Sequence, residues 1–273
     1  MTSSTLVRPA QRTPFARYRH SLWLLTKRDL SVRYTTNALG YVWSVLDPLL
    51  MSLIYFFVFV VVFKRGDHAG EDPYIVYLMA GLLPWTWFNG AITDAARVFA
   101  KESKLVRSVS LPQTLWVARI VLSKGIEYVA SLAVLVIFAI LFHAPVTWYV
   151  FWFPVGLILQ AILVYGIGLI VAPLTVFYKD LERAIRLILR LFFYASAILY
   201  SPTQWPEEVH GIPVRAILQL NPLTGIMGLY RSAFWPKEFN VFHVIVSAVG
   251  SLVILGIGFL VFRRSVPAVL KEM

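Results

Sequence analysis

The chain has 273 residues, of which 59% are hydrophobic and only 14% charged, with a mean hydropathy of +0.72. A soluble domain averages roughly 25% charged and 45–50% apolar residues, so this composition excludes a protein that covers its surface with polar groups and points to lipid as its solvent. The net charge of +11 would suit a nucleic-acid binder, but once apolar spans are placed no basic soluble stretch is left to carry such a surface, and nucleic acid is excluded as a partner.

Residues 1–17 read as a basic cytoplasmic tail: Met1 to Arg19 holds Arg8, Arg12, Arg17 and Arg19 with two prolines. No apolar core or small-residue cleavage site marks a signal peptide there. Residues 18–36 follow as an amphipathic interface helix. In YRHSLWLLTKRDLSVRY, Leu22, Trp23, Leu25, Leu30 and Tyr34 share a face opposite Lys27, Arg28 and Asp29. Such a helix lies in the membrane surface, either as an anchor or as a docking and headgroup-binding element.

Crossing the hydrocarbon core as helix takes about 20 apolar residues. Five runs over 37–273 meet that need: Leu39–Phe63, Tyr74–Val98, Ala118–Phe142, Trp148–Phe177 and Val241–Phe262. Ala184–Tyr200 is shorter but uninterrupted, which makes an all-α integral membrane protein of six transmembrane helices. Two segments are not simple spans. Residues 100–112, AKESKLVRSVSLP, are too polar to cross, yet Leu105, Val106 and Val109 give them one apolar face that needs a protein groove or a bilayer to cover it; a solvated turn is the plainer alternative. In the stretch 201–240, Val214 to Trp235 is apolar but broken by Asn221-Pro222 and Gly225. It reads as re-entrant or surface helices between the fifth and sixth spans, because irregular backbone at membrane depth is tolerated only when protein or a cavity surrounds it.

All of the 25 lysines and arginines except Lys64, Arg65, Arg215, Arg231 and Lys237 then fall on one side. By the positive-inside bias that side, with both termini, is cytoplasmic. Within the spans, Asp47, Asp94, Arg97, Lys124 and Glu127 are ionisable. Lys124 and Glu127 are three apart and neutralise each other on one helix face, so they read as structural rather than as a proton relay. Aromatic residues make up 15% of the chain, with Trp85, Trp87 and Phe88 in GLLPWTWF and Phe192, Phe193, Tyr194 and Tyr200 in the fifth span. Composition favours the ordinary interfacial belt, with stacking on sugar rings as the alternative.

Motifs for catalysis and nucleotide binding are missing. The sequence has no GxxxxGK[ST], HExxH or GxSxG, no cysteine, and five histidines without ligand spacing. No enzyme activity, metal or cofactor is expected on this chain, and an ATPase that drives it must be a separate polypeptide.

Four stretches in order, DLSVRYTTNALGYVWSVLDPLL, GLLPWTWFNGAITDAARVFAKESKLVRSVSLPQTLWVAR, YKDLERAIRLILRLFFYASAILYSPTQWP and LNPLTGIMGLYRSAFW, resemble the membrane subunit of the ABC-2 type exporters of polysaccharides, a family that handles O-antigen, capsular polysaccharide, teichoic acid and mycobacterial galactan. The likeness runs from Tyr18 to the C-terminus. It departs conservatively at Leu111-Pro112, where the family often has FP, and at Tyr178-Lys179-Asp180-Leu181, where it has an F-R-D-L-like motif.

The resemblance implies a homodimer in the bacterial plasma membrane, bound to two copies of a cytoplasmic ATPase subunit that holds ATP and Mg, exporting a glycan on a polyprenyl pyrophosphate lipid; a galactan would suit. It makes Glu102 to Ser110 the coupling helix, with Leu105 and Val106 in the ATPase groove and Glu102, Lys104 and Arg107 at its rim. It offers Arg28 and Arg33 to the pyrophosphate, and Trp85, Trp87, Phe88, Tyr194 and Tyr200 as sugar-stacking or gate residues. An ABC-2 permease for a drug or lipid is the competing class. An ion-coupled secondary transporter is a third, disfavoured by the lack of inverted repeats of broken helices.

Overall fold

The computed structural model describes residues 13–35, 42–62, 72–109 and 111–272. Those residues form helices joined by turns, with one isolated antiparallel bridge between Val209 and Ile212. The helices are α1 (Pro14–Thr35), α2 (Val42–Phe56, continued as a π-helical stretch over Phe57–Val62), α3 (Tyr74–Ala96), α4 (Val98–Lys101), α5 (Ser103–Ser108) and α6 (Thr114–Leu141). A 3-10 stretch, Trp148–Trp152, leads into α7 (Phe153–Phe177), followed by α8 (Leu181–Ala195), α9 (Val214–Gln219), α10 (Pro222–Ser232) and α11 (Val241–Glu272).

Four continuous helical stretches are long and apolar enough to cross a membrane: Tyr74–Lys101, Thr114–Leu141, Trp148–Phe177 and Val241–Glu272. They match the second, third, fourth and sixth expected spans. The first expected span, Leu39–Phe63, falls partly outside the described residues; its described part is α2 and the π-helical stretch. The fifth ends earlier than its apolar run. Helix α8 stops at Ala195, and Ser196 to Tyr200 form turns. At 1.5 Å per residue its 15 residues reach about 22 Å, short of the roughly 30 Å hydrocarbon core.

Helix α3 sits at the centre because it is apolar all round, and such a helix is stable only when covered on every side. Nearly its whole length from Tyr74 to Ala96 is buried, against α2, α6, α7, α8 and α10. Gln160 of α7, fully buried, donates to the Pro84 carbonyl at 2.7 Å and accepts from the Tyr230 hydroxyl at 2.9 Å, so one amide ties α3, α7 and α10 together. Helices α7 and α11 form the largest helix pair. Small residues allow their backbones to touch: a Cβ on Gly258 would lie 2.5 Å from the Gly166 carbonyl oxygen.

Helix α1 departs from its expected face. Asp29 and half-buried Leu22 and Leu25 turn toward the protein, while Trp23 and Leu24 are exposed. The expected face placed Asp29 on the solvent side, whereas an ion pair with α6 draws it inward.

The broken stretch Val214 to Trp235 is helical on both sides of Asn221. The Asn221 side chain accepts from the Leu223 amide at 3.0 Å, and Pro222 occupies the first helical position, a strong start signal for α10. Gly225 does not break α10. It lies inside the helix, where every residue from Leu223 to Ser232 is buried.

Candidate transport cavity and coupling segment

Helices α2, α3 and α8 border an open cavity of about 610 Å³. Trp85, Asn89 and Thr93 recur at spacings of four along α3, and Arg186, Arg190 and Phe193 at four and three along α8, so each helix presents one stripe to the cavity. Tyr55 borders it from α2, and Tyr194 lies beside Phe193. The rings pack together: Trp85 to Phe193 at 5.3 Å between centroids, Tyr55 to Phe193 at 5.9 Å, and Phe193 to Tyr194 at 5.2 Å. Ring faces, an amide, hydroxyls and two guanidinium groups therefore border one space. That set can stack on apolar C–H faces while donating hydrogen bonds to oxygen-rich groups.

Of the five rings singled out by sequence, the structure brings Trp85 and Tyr194 to this cavity. Phe88 is buried behind Trp85 at 5.4 Å and touches Phe192 at 6.1 Å. Trp87 points away from it. Its Nε1 donates to the Val121 carbonyl at 3.2 Å, its ring stacks on Tyr128 at 5.3 Å, and Gly125 gives it room. Successive residues on a helix diverge by about 100°, so Trp85 and Trp87 cannot serve one face. Tyr200 is half-buried and its hydroxyl donates to the Tyr194 carbonyl, bracing the turn after α8.

On the Trp87 side, a smaller cavity of 180 Å³ is bordered by Trp43, Asp47, Lys124, Glu127 and Tyr128. Lys124 Nζ lies 2.9 Å from Glu127 and 4.0 Å from Asp94, in keeping with a pair that neutralises itself.

Arg28 and Arg33 are the residues expected to meet a pyrophosphate at the cytoplasmic entrance. Arg28 is exposed and lies 3.6 Å from Glu102; the Arg33 side chain lies outside the described residues. The cavity arginines are Arg186 and Arg190, which the charge pattern alone reads only as part of the positive-inside set. Their signal was the i,i+4 spacing, which puts two charges on one helical face together with Phe193. Arg186 shares Glu182 with Arg97, whose Nε lies 2.7 Å from that carboxylate. Arg190 has no carboxylate partner among the described residues.

The segment expected to couple to an ATPase folds as α4, a break at Glu102, and α5. Glu102 leaves helical geometry (φ −106°, ψ 17°), and its carboxylate turns inward to Arg119 at 3.2 Å. Val106 is only 2% exposed and Leu105 packs on the same core. The expectation that Val106 seats in a partner's groove and that Glu102 pairs at its rim therefore does not fit: both are engaged by the chain itself. The outward face consists of Lys104, Arg107, Ser108 and Val109, with Leu105 at its edge.

The described residues thus combine four helical stretches able to cross a membrane with a polar, ring-lined cavity between α2, α3 and α8. The family model for ABC-2 type transporters matches residues 20–235, and the chain belongs to that family. Among its relatives are the O-antigen export system permease protein RfbA of Klebsiella pneumoniae, 29% identical over 244 residues (89% of this chain, 91% of the relative), and RfbA of Myxococcus xanthus, 28% identical over 219 (80% and 81%). The polysialic acid transport protein KpsM of Escherichia coli is 25% identical over 259 residues (90% and 93%).

Proposed function

We propose that this chain is the membrane subunit of an ATP-driven exporter of polysaccharide, acting as a homodimer with two copies of a cytoplasmic ATPase subunit. The observation that carries the reading is the cavity between α2, α3 and α8, whose Trp85 and Tyr194 rings, Asn89 amide and arginines suit a sugar chain. The printed functions of the RfbA and KpsM relatives support it. In this reading α2 and α8, each extended by its flanking residues, complete six spans, with both termini cytoplasmic and α1 in the interface of the bacterial plasma membrane. Lys104 and Arg107 meet acidic groups on the ATPase, which alone binds ATP and Mg.

The proposed substrate is a glycan on a polyprenyl pyrophosphate lipid. Arg28 and Arg33 meet its diphosphate at the cytoplasmic entrance and Arg186 and Arg190 meet it at the cavity, because guanidinium forks suit phosphate oxygens. Closure of the ATPase pair moves α5, the helices around the cavity part, and the rings offer successive stacking positions that no single sugar occupies tightly.

Depletion of the protein from its cells tests this directly. Lipid-linked glycan should accumulate on the cytoplasmic side while surface glycan falls. Unchanged surface glycan, with a drug or a simple lipid retained instead, would favour the competing class of ABC-2 permease.

A further inference from the structure

Arg119 lies one turn and a half into α6 and is 3% exposed. Its Nη1 is 2.8 Å from Asp29 of α1 and its Nη2 is 3.2 Å from Glu102, at the break between α4 and α5. The second oxygen of Glu102 lies 3.6 Å from Arg28 of α1. The guanidinium carbon stands 5.1 Å from the ring centroid of Trp116, which is fully buried one turn earlier on α6. Two arginines and two carboxylates thus close a cluster in which three separate parts of the chain meet: the interface helix, the coupling segment and the third expected span.

We propose that Arg119 is a positioning residue that locks the coupling segment to α1 and α6, so that a displacement of Glu102 is delivered to both helices together. Two features of the cluster support this assignment. The first is where Glu102 sits. It occupies the one residue between α4 and α5 whose backbone leaves the helix, so α5 can turn there, and its carboxylate is the directional link across that joint. Val106 and Leu105 hold α5 only by apolar contact, which resists separation but has no preferred direction.

The second feature is the cost of the arrangement. A buried ion cluster contributes little net stability, because desolvation offsets most of the Coulombic attraction, and apolar residues of similar shape often replace it without loss. What such a cluster does supply is fixed geometry: the planar guanidinium binds two carboxylates at set angles, which an ammonium on a flexible stem does not. A purely stabilising role would be filled as well by leucine.

The assignment rests on the exporter reading, and its test separates the two. The complex with its ATPase is placed in proteoliposomes, and ATP hydrolysis and glycan export are read in the same vesicles. The informative variant neutralises the buried part of the cluster at once, Asp29→Asn, Glu102→Gln and Arg119→Met, and leaves only the exposed Arg28 charged. No buried charge is then left unpaired, so the variant should reach wild-type abundance and assemble. ATP hydrolysis should continue near the wild-type rate, while glycan exported per ATP falls roughly ten-fold, the scale of a lost coupling interaction. Arg119→Lys alone should fall between, since it keeps the charge and loses the fork. Wild-type export per ATP in the triple variant would overturn the proposal. So would failure of the triple variant to accumulate, which would make the cluster a folding element only. A wild-type complex that hydrolyses ATP but moves no glycan would instead sink the exporter reading.

Discussion

Arg231→Leu is expected to abolish accumulation of the folded protein in the membrane. Arg231 is 1% exposed, in the last turn of α10, and its partners are a phenol and main-chain carbonyls rather than a carboxylate. Nη1 donates to the Tyr77 hydroxyl at 2.8 Å and to the Ala197 carbonyl at 2.6 Å, Nη2 donates to the Ile198 carbonyl, and the guanidinium stacks 3.7 Å from the Tyr77 ring. These carbonyls belong to the turn where the chain leaves α8, with Ala197 in left-handed backbone (φ +51°). One side chain thus satisfies the end of α8 while holding α10 against α3. Leucine would leave two or three buried acceptors without donors, each costing about 1–3 kcal/mol, so a total on the order of 3–5 kcal/mol is expected. Fluorescence-detected size exclusion of the solubilised protein reads the outcome. A monodisperse Arg231→Leu protein at wild-type yield would contradict this role.

Gly225→Val should be as severe for a different reason. A Cβ at Gly225 would lie 2.1 Å from the His243 carbonyl oxygen and 2.4 Å from Ser247 Oγ. One of those is main chain of α11 and cannot rotate away, and the Ser247 hydroxyl is itself held by the Pro222 carbonyl. Overpacking of a side chain costs about 1–3 kcal/mol; against backbone the helices must separate, and the buried α10 loses its contact with α11. Gly256→Ala is the matched control, because nothing lies within 4 Å of its added Cβ. The expected result is loss of thermal stability in detergent for Gly225→Val and none for Gly256→Ala. Equal melting of the two would show that α10 and α11 are less tightly apposed than this geometry requires.

Much of this architecture was legible in the sequence, and the limits were physical. Apolar runs of sufficient length announce their own helices, so α3, α6, α7 and α11 needed no tertiary information. Asn221-Pro222 was legible as an interruption of the apolar stretch, and its cap chemistry starts α10 there, while Lys124 with Glu127 followed from three-residue spacing. Gly225 misled because glycine is costly in a helix, and that signal does not distinguish a break from a close contact with another helix. The length of α8 misled because its apolar run continues past Ala195, while the turn there is held by Arg231, a residue distant in sequence.

The candidate site was less legible than the spans. Periodicity separates Trp85 from Trp87 but does not say which of the two faces α8. Asp29 carried a solvent-face assignment from its neighbours Lys27 and Arg28, and only the approach of Arg119, 90 residues away, turns it inward. For the same reason Val106 and Glu102 were assigned to a partner when their own chain already holds them.

In the proposed function the cavity between α2, α3 and α8 carries the glycan. The most direct test of this is export of lipid-linked glycan by the double variant Trp85→Leu/Tyr194→Leu, which removes both rings and keeps apolar volume where Trp85 packs on Phe88 and Phe193, with Trp148→Leu, an exposed ring in the 3-10 stretch before α7, as control. Export by the double variant should fall on the order of ten-fold, as for about 1.4 kcal/mol of lost interaction, at unchanged membrane abundance and with ATP hydrolysis retained, while the control exports normally. Full export by the double variant would contradict the claim and return Trp85 and Tyr194 to packing alone.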